Sequence, residues 1–149
     1  MSRNAETDVD LQPREIEAHM ADLVAAAKAV RARAHAPYSH FAVGAAVMDE
    51  QGRIHAGCNV ENAAYPQGWC AETSALAVMV AAGGRRVLAV AVCAVGNQPI
   101  TPCGGCRQKL SEFADANCPV WVADAHSLRA THTLGELLPH SFGPDTLLA

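Results

Sequence analysis

The sequence predicts an α/β fold, a layered sheet with helices covering both faces. Strand and helix signals alternate along the chain (strand, helix, strand, helix, strand), an order that favours a sheet built by crossovers. The strand candidates are apolar runs, as expected of strands buried on both sides. With 149 residues, half of them hydrophobic, the chain is long enough for one real core and short for two. Residues 1–12 are expected to form a flexible N-terminal segment and residues 13–149 a single domain.

Pro13 suits the first turn of a helix, and Ile16, Met20, Leu23, Ala27 and Val30 then recur at helical spacing. That stripe should pack on the sheet. His35 to Ser39 is a turn-rich break. Ala42 to Met48 reads as a strand, and Glu50 to Arg53 can close a hairpin onto Ile54 to Cys58. Asn59 to Trp69 reads as a loop. Cys70 opens a helix running to about Ala82, stopped by Gly83-Gly84. Val87 to Val95 is a continuous apolar strand. A proline-containing loop leads to a second helix from near Cys103 to near Ala116-Asn117, followed by a strand over Pro119 to Ala123. A brief helix is expected around Leu134 to Leu138.

The composition excludes several classes. A formal net charge of −4 is wrong for a nucleic-acid binder, which needs a concentrated basic surface. The adjacent pair Arg85-Arg86 is explained by a solvated turn. The longest apolar run, Val87 to Val95, is too short to cross a bilayer. Met1 to Gln12 is polar and acidic without an apolar stretch, so no signal peptide is expected and the reading is cytoplasmic. Six cysteines in such a chain suggest reduced thiols and metal rather than disulfides.

Chemistry concentrates in Cys70-Ala71-Glu72 and in Pro102-Cys103-Gly104-Gly105-Cys106. Structural zinc sites close with four protein ligands, whereas catalytic ones use three and leave a position open. Cys70, Cys103 and Cys106 supply three, and Glu72 can move protons beside the open position. Both cysteine segments are expected at helix N-termini, whose partial positive charge stabilises thiolates. Blander readings remain. Cys103 and Cys106 alone could be a redox pair or half of a structural knuckle, with His55, Cys58, Cys93 or Cys118 as a further ligand. The spacing of Cys70 and Glu72 favours catalysis, and Cys58, Cys93 and Cys118 are read as packing residues.

Cys-Ala-Glu followed by Pro-Cys-x-x-Cys resembles the zinc-dependent nucleoside and base deaminases. With Cys70 as first ligand, the chain is similar to the small homotetrameric cytidine deaminases. The likeness extends over Pro37 to Ala46, Cys58 to Tyr65, Pro102 to Gln108, and Leu137 to Pro139 with Phe142. It implies a three-layer fold with a five-stranded mixed sheet, and deamination of cytidine and deoxycytidine to uridine and deoxyuridine plus ammonia in pyrimidine salvage. It implies one zinc per subunit on Cys70, Cys103 and Cys106, with zinc-bound hydroxide attacking C4 and Glu72 as proton shuttle. Asn59 and Glu61 are expected on the ribose 3′-hydroxyl, Phe41 on the pyrimidine, and the Ala71 N–H on the base carbonyl. Phe142 is expected to close a neighbouring subunit's pocket, and Tyr65 to reach across an interface. The implied partners are a free nucleoside and three further copies of the chain, with no nucleic acid and no membrane. Where many relatives carry an Arg after the catalytic Glu, this chain has Thr73. Arg107, the helix termini and the Thr73 hydroxyl are the expected substitutes for that charge. The competing readings are a zinc deaminase for a modified cytosine nucleoside, a nucleotide or a nucleoside antibiotic, and a zinc-stabilised binding protein without catalysis.

Overall fold

The structure, a computed structural model, describes residues 10–148. Residues 1–9 of the segment expected to be flexible lie outside the described part. Within that segment, Leu11 packs against the core, and the Gln12 N–H donates to the Glu15 carboxylate at 2.7 Å where the first helix begins.

The helical stripe is present but divided into α1 (Pro13–Ala18) and α2 (Met20–Arg31). His19 breaks the run with a tight turn, its N–H donating to the Ile16 carbonyl. The stripe still faces the sheet, with Leu23 and Ala27 fully buried. β1 (Val43–Asp49) and β2 (Ile54–Cys58) form the expected hairpin. Then come α3 (Ala71–Ala81), β3 (Val87–Ala94), α4 (Gly104–Ser111) and β4 (Pro119–Ala123). β5 (Leu128–Thr133), α5 (Leu134–Leu137) and α6 (Asp145–Leu148) complete the described chain.

The five strands lie in the order β2-β1-β3-β4-β5, antiparallel except for β3 beside β4, so the sheet is mixed and open. Successive side chains on a strand face opposite ways. One face gives Ala45, Val47, Val90, Val92 and Val120 to a core shared with α3, α4 and α5. The other gives Ala46, Met48, Ala89, Ala91, Cys93 and Trp121 to a core shared with α1 and α2. Three layers result.

The second site helix is shorter than expected, ending at Ser111. The Phe113 carbonyl is drawn to the Val87 N–H at the start of β3, and the Asp115 carbonyl accepts from Cys118 in the turn into β4. Between Ala123 and Leu134, the residue-by-residue reading missed β5, an edge strand without a fully buried residue.

Both flanking layers lie unusually close to the sheet. A Cβ at Gly44 would stand 2.0 Å from the Ala27 carbonyl oxygen, and one at Gly57 would stand 2.4 Å from the Ala75 nitrogen. Backbone cannot yield as a side chain does. Gly44→Ala is therefore expected to destabilise the fold by more than about 3 kcal/mol, beyond the usual overpacking range, as measured by urea unfolding.

Strand direction positions the site. β2 and β3 are each antiparallel to β1, so they point the same way and end at the same edge of the sheet. α3 follows β2 and α4 follows β3, so both helices start at that edge. In open α/β sheets this is where ligands bind.

Candidate active site

Cys70 is the N-cap of α3 and Cys103 the N-cap of α4, each with extended backbone, while Cys106 sits in the first turn of α4. The two helix starts bring the three sulfurs within 4.8 Å of one another, with Cys70 Sγ 3.9 Å from Cys103 Sγ. Tetrahedral zinc with Zn–S bonds of ~2.3 Å spaces its sulfurs ~3.8 Å apart, so the donor set fits the ion. Among the described residues this trio is the group of three or more His, Cys, Asp or Glu side chains close enough to share a metal. His55, Cys58, Cys93 and Cys118 are not part of it. His55 pairs instead with the Asp49 carboxylate at 2.8 Å.

The electrostatics suit this arrangement. A hydrogen bond from Cys106 lowers the Cys70 thiol to about 6, with Cys103 and the Lys109 charge helping against burial. The bond to Cys70, then burial, pushes the donor thiol Cys106 far up. Metal coordination removes such protons outright. Burial raises the Glu72 carboxyl, and negative charge on Cys70 adds to the shift. Glu72 is only 5 % exposed. Ala71 is buried at the first position of α3, where helical N–H groups lack intrahelical acceptors.

Of the two side chains expected to offset the thiolate charge, one touches the cluster and the other is engaged by oxygen acceptors. The Thr73 hydroxyl lies 3.8 Å from Cys106 Sγ. The Arg107 guanidinium is turned to oxygen instead, bonding the Pro102 and Leu137 carbonyls and the Thr101 hydroxyl. The cation whose field reaches Cys70 and Glu72 is Lys109, one helical turn after Cys106.

A cavity of about 540 Å³ opens beside Cys70, with Asn59, Glu61 and Tyr65 in its wall. Asn59 bridges two backbone groups, accepting from the Val43 N–H and donating to the Phe41 carbonyl, each at 2.8 Å. One amide proton and one lone pair remain for a ligand. Glu61 accepts from the Tyr38 and Ser39 N–H groups at 3.0 and 3.1 Å. These bonds outweigh the upward push of burial and hold its carboxyl below the ordinary value, so it stays an ionised acceptor.

Phe41 is exposed and outside that wall, although Asn59 ties its carbonyl to the cavity. The preceding His40 adopts φ 57°, a left-handed kink that sets the direction of Phe41. Tyr65 is 75 % exposed, with its ring edge-on to Tyr38 at 5.8 Å. Phe142 is exposed and outside the cavity wall, its carbonyl bonded to the Gln108 amide. Sequence reasoning passed over Tyr38 and Trp69, both in the wall. An aromatic residue directly before the first thiol was the available signal for Trp69. A second cavity of about 480 Å³ lies between α1 and the far end of the strands and contains none of the expected site residues.

A mixed sheet that presents three thiols and a buried carboxylate at two helix starts defines a zinc-binding α/β protein. Residues 17–122 match the family described as the cytidine and deoxycytidylate deaminase zinc-binding region, and the chain belongs to that family. Cytidine deaminase from Sporosarcina psychrophila is 41 % identical over 125 residues, covering 84 % of this chain and 92 % of that protein. Cytidine deaminase from Mycobacterium tuberculosis H37Rv is 41 % identical over 116 residues, covering 78 % of this chain and 84 % of that one. The crystal structure of cytidine deaminase from Burkholderia pseudomallei superposes with a TM-score of 0.78 at 42 % identity, covering 83 % of this chain and 98 % of that chain. The three-layer, five-stranded expectation is thus borne out. Among the described residues, no helix is long and apolar enough to cross a membrane.

Proposed function

We propose that this chain hydrolyses cytidine and deoxycytidine to uridine and deoxyuridine with release of ammonia, using one zinc on Cys70, Cys103 and Cys106. The observation that carries this reading is the burial of Glu72 beside the three thiols. A carboxylate is costly to bury unpaired, and one whose pKa is raised by burial is suited to taking and returning protons. A structural knuckle has no use for it. The relatives named above, all cytidine deaminases, support the same reading.

Zinc, when bound, supplies the Lewis acidity that makes water a nucleophile near neutral pH. Glu72 accepts a proton from that water and delivers it to N3 as the C4–O bond forms. It then transfers the remaining proton to the amino group, the C4–N bond breaks, and ammonia leaves. Asn59 and Glu61, already fixed by backbone bonds, hold the ribose 3′-hydroxyl. Phe41 packs on the pyrimidine and the Ala71 N–H meets the base carbonyl. Among the described residues lining the cavity none is Lys or Arg, which supports a free nucleoside over a nucleotide. Glu61→Gln is expected to lower kcat/KM about tenfold, mainly through KM, from loss of a charge-assisted bond of ~1.5 kcal/mol.

The same reading makes the protein a cytoplasmic enzyme of pyrimidine salvage and a homotetramer with shared sites. α3 is apolar nearly all round, yet Val78 on it is 46 % exposed, and Trp69 beside it is 50 % exposed. Such a helix is usually covered, and a second copy would cover it while bringing Tyr65 and Phe142 to a neighbour's pocket. Light scattering should give a tetramer, and a stable, active monomer would refute this part. The activity itself is tested by incubating purified protein with cytidine, deoxycytidine, CMP and cytosine while following ultraviolet absorbance. Loss of absorbance with the two nucleosides is expected. Bound zinc without turnover of any of the four would favour a binding protein.

A further inference from the structure

Arg107 and Gln108 follow the buried thiol Cys106 and take no part in the chemistry above, yet both are bonded across the site. Arg107 Nε donates to the Pro102 carbonyl at 2.7 Å, Nη1 to the Leu137 carbonyl at 2.8 Å, and Nη2 to the Thr101 hydroxyl at 2.9 Å. Gln108 Nε2 donates to the Phe142 carbonyl at 2.9 Å. The chemistry of each acceptor explains why this matters. Pro102 is fully buried and has no N–H, so its carbonyl is its one backbone hydrogen-bonding group. It is also the carbonyl directly before the ligand Cys103. The Leu137 carbonyl is the last of α5, one of the groups a helix end leaves without an internal partner. A guanidinium is a rigid planar fork, so gripping these oxygens together fixes their directions relative to one another.

We propose that Arg107 is a positioning residue that sets the Cys103 backbone for zinc and lashes the C-terminal segment to the same loop. Gln108 extends the lash to Phe142, so zinc retention and docking of the tail are coupled through Arg107, while Gln108 adds a second tie at the tail tip that leaves the Cys103 backbone untouched. The zinc half of this proposal rests on the reading under the preceding heading. The role depends on fork geometry rather than charge, which separates it from electrostatic offsetting of the thiolates: a lysine keeps the charge and loses the fork.

The test uses zinc-loaded full-length wild type, Arg107→Ala, Arg107→Lys and Gln108→Ala, each shown to be folded by far-ultraviolet circular dichroism. Zinc release is followed with a chromophoric chelator, and brief chymotrypsin digestion is read by mass spectrometry at Leu137 and Phe142. Both Arg107 variants should release zinc about tenfold faster, as expected when a ligand's supporting contact is removed, and should be cut at both positions. Gln108→Ala should be cut at Phe142 and release zinc at the wild-type rate. Wild-type behaviour of Arg107→Lys would overturn the proposal, as would unchanged zinc release or unchanged cleavage in Arg107→Ala. If Arg107→Ala does not fold, the Lys and Gln108 variants decide the matter. Neither readout uses turnover, so a wild type that deaminates no cytosine nucleoside would count against the proposed activity and not against this coupling.

Discussion

Glu72→Gln is expected to retain one zinc per chain and to lower kcat by about 10²–10⁴, the usual worth of a positioned acid–base group. The substitution keeps size and shape in a pocket where the residue is 5 % exposed, so packing of the first turn of α3 should survive. What is lost is the ability to take a proton and give it back. Glutamine can still donate a hydrogen bond to a ring nitrogen or accept one from water, so substrate binding should change far less than turnover. Metal analysis with steady-state kinetics on cytidine checks both halves. Near-normal turnover would remove Glu72 from its proposed role, and loss of zinc would make it a ligand rather than a shuttle.

Cys106→Ala attacks the other half of the site. Cys106 is the most buried of the three thiols, in contact with Cys70 and with the Thr73 hydroxyl. Its removal leaves two surface thiols at helix caps, too few for a closed or a catalytic site. Zinc content should fall from stoichiometric to near none, and turnover should become unmeasurable. Because a metal that binds only the native state stabilises it, the loss should also be visible on melting. A zinc excess of 100 to 1,000 times Kd is worth roughly 3–4 kcal/mol, or about 6–16 °C in Tm for a domain this size. Cys58→Ala is the control, since that thiol is outside the cluster, and it should keep zinc. A Cys106→Ala protein with full zinc would disprove the ligand set.

Much of this was legible in the sequence for a physical reason. Cys70, Glu72, Cys103 and Cys106 are reactive side chains at separations that only a shared centre explains, and their helix-start positions follow from the loops before them. The hairpin β1–β2 and the strand β4 were readable from apolar runs bounded by turn residues, and β2 and β4 have the bounds expected. β5 was not readable residue by residue, because Leu-Arg-Ala-Thr-His-Thr is an edge strand held by one neighbour and its apolar alternation stops after Leu128 and Ala130. The end of α4 was missed because a distant N–H, that of Val87, claims a carbonyl the helix would otherwise use. Arg107 was read as a charge near thiolates. One of its actual partners lies thirty residues away, a relation that no local pattern contains.

The bridge made by Asn59 has a further consequence. The amide of Val43 is shielded from solvent by a side chain sixteen positions away. Deuterium uptake at that one amide should therefore be slow in the resting protein. A sugar hydroxyl that pulls the Asn59 carboxamide toward itself would loosen the shield, and the exchange rate of a single proton would then report how often the ribose subsite is filled.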